Sequence, residues 1–153
     1  SKKSLNKIED SILFCYTGLA RTSEFIAKKQ INNISKKKAD LIKMTELSKE
    51  ALKILNKKNF SIKEFGKLLN EQWILKQNLN PSSTNKEINH IYSKALSAGA
   101  FGGKISGAGA GGFLLILAPS DRHYLIRKKL SKYLFVPIRL ENTGSQIVYY
   151  SHS

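Results

Sequence analysis

The sequence predicts an α+β fold, an antiparallel sheet with helices packed on it. Two short apolar runs that read as buried strands, Ser11–Tyr16 and Phe113–Ala118, carry the first half of that prediction. The second half rests on consecutive amphipathic helical patterns between them. At 153 residues and 41% hydrophobic, residues 1–153 suit a single domain, and no linker is long enough to divide them.

In chain order, Ser-Ile-Leu-Phe-Cys-Tyr ends at the turn Thr17-Gly18 and reads as a strand. Arg21 to about Ile34 has helical spacing. From Lys36, Ala39, Ile42, Leu47, Ala51, Ile54 and Leu55 recur every three to four residues, which predicts a helix ending near Asn56–Asn59. Ser61-Ile62-Lys63-Glu64 is a capping box, and Ile62, Phe65, Leu68, Leu69, Trp73 and Leu75 line one face as far as Leu79. Asn80-Pro81-Ser82-Ser83 breaks that helix, and Thr84-Asn85-Lys86-Glu87 caps the next, with Ile88, Ile91, Tyr92, Ala95 and Leu96. After the second strand, Ser120 or Asp121 is expected to cap a last helix with Ile126, Leu130, Tyr133 and Leu134 inside. Val136–Leu140 and Gln146–Tyr150 read as a terminal β-hairpin.

Composition excludes several classes of function. The longest stretch without charge or strong polarity, Gly107 to Pro119, is too short for a membrane-spanning helix, which needs about 20 apolar residues. No signal peptide is visible, and Cys15 stands alone, so neither a disulfide framework nor a cysteine metal cluster is expected. A reducing cytoplasm is the corresponding expectation. The first residue is Ser, which suggests trimming or a fragment. The net charge of +15 invites a nucleic-acid reading. However, the excess is spread along the chain, and only Arg21, Arg122, Arg127 and Arg139 are arginines, the side chain suited to reading guanine. A lysine-rich solvated surface is favoured over a nucleic-acid patch, and attraction for small phosphate compounds fits either.

The informative segment is the glycine cluster. Seven of the ten glycines fall between Gly99 and Gly112. Gly107, Gly109 and Gly112 formally match the dinucleotide fingerprint, but that loop must open a helix, and this one runs into Phe113-Leu114-Leu115-Ile116-Leu117. No Gly-Lys-Ser/Thr closes the glycines, so a Walker loop is excluded. Consecutive glycines let backbone N–H groups converge on an anion, and Lys104 and Ser106 add a cation and a hydroxyl beside them. A tight glycine turn needed only for packing is the competing reading. Thr17-Gly18-Leu19-Ala20-Arg21-Thr22-Ser23 is a second anion candidate, although an N-cap at Thr22 or Ser23 with Arg21 in solvent is the favoured reading from these residues alone. His90, His123 and His152 form no metal-ligand pattern, and Trp73 and Tyr149-Tyr150 read as packing residues.

Together these segments resemble a known family. Lys104-Ile105-Ser106-Gly107-Ala108-Gly109-Ala110-Gly111-Gly112-Phe113 is similar to the C-terminal glycine motif of the GHMP kinases. Leu13 to Arg21, Trp73-Ile74-Leu75-Lys76, Ile88 to Tyr92 and Gly99 to Lys104 resemble the sugar-kinase branch, and look most like heptose 7-phosphate kinases. The likeness runs from about Ile12 to Val148.

It implies a ferredoxin-like C-terminal domain of a kinase acting on the anomeric hydroxyl of a sugar phosphate such as D-glycero-D-manno-heptose 7-phosphate. It also implies an N-terminal domain, absent from this chain, that holds ATP and Mg²⁺ and any catalytic residue. This chain alone is then expected to be inactive, with the N-terminal domain of the same protein as its partner, and self-association stays open. By that resemblance Lys104, Ser106, Gly107, Ala108, Gly109, Gly111 and Gly112 approach the ATP phosphates, while Thr17, Gly18 and Arg21 lie towards the sugar phosphate. Ala110 stands where many members have Gly. A free-standing basic module that binds anions or nucleic acid is the alternative from another class.

Overall fold

Four antiparallel strands form one sheet, and the chain crosses it out of sequence order. The structure, a computed structural model, describes residues 2–19, 37–141, 143–147 and 149. The elements are α1 (Lys2–Glu9), β1 (Ile12–Tyr16), α2 (Lys38–Asn56), α3 (Ile62–Leu79), α4 (Lys86–Ser97), β2 (Gly102–Ile105), β3 (Phe113–Leu117), α5 (His123–Lys129) and β4 (Leu134–Val136). The strand order is β2-β3-β1-β4.

β1 is central, pairing Cys15 with Leu114 of β3 on one side and with Phe135 of β4 on the other. Alternation along a pleated strand sends Leu13, Cys15, Ile105, Leu114 and Ile116 to one face, where they are buried with Ile88, Ile91 and Ala95 of α4 and Ile126 of α5. Phe14 and Phe113 stack on the opposite face with centroids 4.6 Å apart. A second core lies between α2 and α3, built from Leu47, Ile54, Phe60, Ile62, Leu68 and Leu75. A buried Leu or Ile contributes roughly 1.5–3 kcal/mol, so these two clusters supply most of the driving force for folding.

One close approach fixes where the site lies. Gly66 of α3 faces Gly102 of β2, and a Cβ on Gly102 would run into the Gly66 carbonyl. Helix and strand therefore meet backbone to backbone, which only a glycine pair allows. Beside them, the Tyr92 hydroxyl donates to Asn70 Oδ1 at 2.6 Å and accepts the Gly103 N–H at 3.1 Å.

Several expectations are corrected. Gly102–Ile105 is an edge strand rather than part of the loop; its glycines look irregular in sequence, but Gly102 lets it lie against α3 and Gly103 lies close to the Leu115 carbonyl of β3. The cap of α4 is Asn85, whose Oδ1 accepts the Ile88 N–H at 3.0 Å, while Thr84 donates to Asn89 instead. The last helix has no side-chain cap and ends at Lys129. Leu134, expected on its inner face, begins β4 and is exposed.

The terminal hairpin does not form among the described residues. Val136 closes β4, and Pro137, which has no N–H, cannot extend the ladder. The next segment is instead fastened to α1: Glu9 accepts the Leu140 N–H at 2.6 Å and a 3.2 Å bond from Arg139. The helix read over 21–34 lies outside the described residues, and α1 had no counterpart in the sequence reading.

Candidate functional site

The glycine loop is a tight link between two paired strands. The Ser106 N–H donates to the Phe113 carbonyl at 2.8 Å, closing the β2–β3 hairpin, and residues 107–112 bulge beyond it. Three elements hold the bulge. The Ala110 N–H donates to the Ser83 carbonyl at 2.6 Å, and Asn85 Nδ2 donates to the Ala110 carbonyl at 3.3 Å. On the other flank, Gly112 donates to the Leu19 carbonyl at 2.8 Å, and its own carbonyl accepts both the N–H and the hydroxyl of Thr17 at 2.9 Å. From α3, Lys76 Nζ donates to the Gly107 carbonyl at 2.5 Å.

Backbone conformation gives the loop its chemistry. Gly107 (φ 72°) and Gly109 (φ 115°) are left-handed and flank Ala108, which has negative φ. Alternating handedness turns successive N–H groups to one side, as in an anion-binding nest. The N–H groups of Gly107 and Ala108 have no acceptor among the described residues, and Gly109 closes a turn that begins at Ser106. Ala110 also has positive φ, at 64°, so the residue that departs from the motif's usual glycine keeps a glycine's conformation. Its left-handed strain is maintained because its N–H and carbonyl are both bonded and its side chain is buried.

The electrostatics are uniformly cationic. Burial, together with the neighbouring charge of Lys104, pushes the Lys76 ammonium down to about 8 from the ordinary lysine value of 10.5. Acids lie elsewhere: Glu71 pairs with Lys43, and Glu87 with Lys132 and the Tyr133 hydroxyl. The loop thus offers N–H donors and ammonium groups, which suit phosphate oxygens. It offers no carboxylate ligands for a divalent cation, and among the described residues no three His, Cys, Asp or Glu side chains come together. Mg²⁺ does not fit here.

Lys104, Ser106, Gly107, Ala108, Gly109, Gly111 and Gly112 are therefore brought to one place, and Thr17 joins them through the Gly112 carbonyl, with Gly18 next to it in the chain. The Thr17 hydroxyl is engaged in fastening the loop, donating to Gly112 and accepting a 3.4 Å bond from the Leu19 N–H. Arg21 lies outside the described residues. Sequence reasoning missed Lys76, Ser83 and Asn85. Lys76 did fall within the Trp73–Lys76 run, but a lysine in the last turn of a helix also complements the helix dipole, which concealed it. A wide cavity of about 770 Å³, lined by Lys7, Ser11, Phe101 and Pro119 among others, lies at the opposite end of the sheet from the loop.

A family described as "GHMP kinases C terminal" matches residues 41–135, more than half of the chain. The chain is 28% identical over 149 residues to a bifunctional fucokinase/GDP-fucose pyrophosphorylase of Arabidopsis thaliana, covering 93% of this chain and 14% of that protein. It is 28% identical over 130 residues to a D-glycero-alpha-D-manno-heptose 7-phosphate kinase of Campylobacter jejuni, covering 83% of this chain and 38% of the kinase. Among solved structures, L. major mevalonate kinase in complex with R-mevalonate superposes with a TM-score of 0.68 at 22% identity, over 79% of this chain and 37% of that one. This last likeness bears on the fold alone. The chain spans well under half the length of each of these proteins.

Proposed function

Since the chain belongs to the GHMP kinase C-terminal family, we propose that it is the C-terminal domain of a longer ATP-dependent sugar kinase. The proposed reaction moves the terminal phosphate of ATP to the anomeric hydroxyl of a sugar phosphate, with D-glycero-D-manno-heptose 7-phosphate as the acceptor. The observation that supports a phosphate-transfer role is the glycine loop, with N–H groups of Gly107 and Ala108 that have no acceptor among the described residues and with Lys76 and Lys104 beside it. Phosphoryl transfer needs little covalent help from a protein. It is driven by positioning and by groups aimed at charge on the moving phosphate, and backbone N–H groups and ammonium groups are such groups.

The choice of heptose rests on likeness to the Campylobacter kinase, and fucose is the competing acceptor on likeness to the plant enzyme. In this proposal a preceding domain holds most of the nucleotide and Mg²⁺, Thr17, Gly18 and Arg21 face the sugar, and this chain alone turns over no ATP.

The test is a kinase assay on the full product of the native gene, offered heptose 7-phosphate, fucose and galactose in turn, beside the 153-residue chain. Phosphorylation of the heptose at its anomeric carbon, by the longer product only, is the expected result. Preference for fucose would replace the acceptor. Turnover by the 153-residue chain itself, or by neither species, would overturn the reading.

A further inference from the structure

We propose that Lys76 and Lys104 act together as a phosphate-binding pair, so that the glycine-loop site extends onto α3 and takes the dianionic phosphate of a phosphate monoester or nucleotide. The proposal rests on reading the loop as a phosphate site, and it adds a residue from a different element.

Geometry brings Lys76 to the loop that follows Lys104 in the chain. α3 runs beside β2 from the Gly66–Gly102 contact onward. From Gly66 the helix advances about 15 Å to Lys76, at 1.5 Å per residue. From Gly102 the strand advances roughly 10 Å to Ile105, and the turn that follows leads to Gly107. Lys76 therefore reaches the loop at the level of Gly107, where its Nζ meets the carbonyl at 2.5 Å. An ammonium has three donors, and the carbonyl takes one. The charge of Lys104 acts on Lys76 from β2. Neither lysine pairs with a carboxylate among the described residues, although other lysines of this chain do.

Two like charges held together without a counter-ion, one of them partly desolvated, raise the energy of the empty site. A bound dianion relieves that repulsion and accepts the donors left over by Lys76 and the loop N–H groups. A lysine needed only to tie down Gly107 would not require a second cation beside it.

The experiment is titration of the 153-residue chain with inorganic phosphate, metal-free ATP and a hexose 6-phosphate, followed by calorimetry and by the amide shifts of Gly107, Ala108 and Gly109. Wild type is expected to bind phosphate saturably, Lys76→Met to weaken it by about tenfold or more, and Lys76→Arg to stay within about threefold of wild type. If Lys76→Met fails to fold, Lys104→Met carries the test with the same expected loss.

A loss confined to ATP identifies the nucleotide as the source of the phosphate, and a loss confined to the sugar phosphate identifies the acceptor; either supports the pair. Unsaturable binding by wild type, or unchanged affinity in the methionine variant that folds, overturns it. A pair that binds phosphate while the longer gene product phosphorylates no sugar would refute the kinase reading and leave the pair standing. Sugar phosphorylation with unchanged affinity of the variants for all three ligands would do the reverse.

Discussion

Replacing Gly109 with Ala separates two reasons for a glycine in the loop, with Gly107→Ala as its reference. Both positions have positive φ, at 115° and 72°. An L side chain there costs roughly 1–2 kcal/mol, partly offset by about 0.4–1 kcal/mol because alanine restricts the unfolded chain. At Gly107 that is the whole effect, since a Cβ meets nothing within 4 Å. At Gly109 the Cβ would lie 2.6 Å from the Ser83 carbonyl oxygen and 2.9 Å from its Cα. That carbonyl is also the acceptor for the Ala110 N–H, so the clash pushes apart the bond that anchors the loop. Overpacking of this kind adds about 1–3 kcal/mol.

The expected destabilisation is therefore about 1 kcal/mol for Gly107→Ala and about 2–4 kcal/mol for Gly109→Ala. In a chain of this size each kcal/mol moves Tm by about 2–4 °C. Thermal unfolding followed by circular dichroism should show a drop of a few degrees for the first variant and about 10 °C for the second. Equal drops would mean that loop conformation alone demands glycine and that the contact with Ser83 is not rigid.

Two further outcomes follow from the same geometry. Asn85→Ala removes both the cap of α4 and the bond to the Ala110 carbonyl, and should cost about 1–2 kcal/mol in denaturant unfolding; Thr84→Ala should cost less, and the reverse order would return the cap to Thr84. Because the folded chain holds Lys76 down to about 8, the unfolded chain binds more protons between there and 10.5, so Lys76 weakens the fold below about 8 and that penalty lifts as pH rises through this window. The denaturant midpoint of wild type should climb relative to Lys76→Met across that range, and parallel curves would contradict the placement of Lys76.

Local signals carried much of the fold and little of the reason for the site. The helices at 38–56, 62–79 and 86–97 were legible because each buries one face at a spacing of three to four residues and begins after a turn. β1 and β3 were legible as short apolar runs bounded by turn residues. β2 was not, because glycines at 102 and 103 carry no strand signal of their own; Gly102 is required by α3, which is remote in sequence, and Gly103 by the backbone of β3 at Leu115. The C-terminal hairpin failed for a related reason. The apolar alternation after Val136 is real, but Pro137 ends the ladder and Glu9, more than a hundred residues earlier, captures the segment instead.

By itself the sequence determined the class of fold, the glycine loop, the order of its motifs and hence the family, because these depend on periodicity, on turn chemistry and on which residues stand together in the chain. Only the tertiary structure decided what the loop is fastened to and which charges face it. Ser83, Asn85, Thr17 and Leu19 hold its backbone, and Lys76 meets Gly107 from 31 positions away. The physical reason is that a hydrogen bond or a charge pair acts over a few ångströms of space, and the packing of α3 along β2, set by two glycines, brings those residues within that distance.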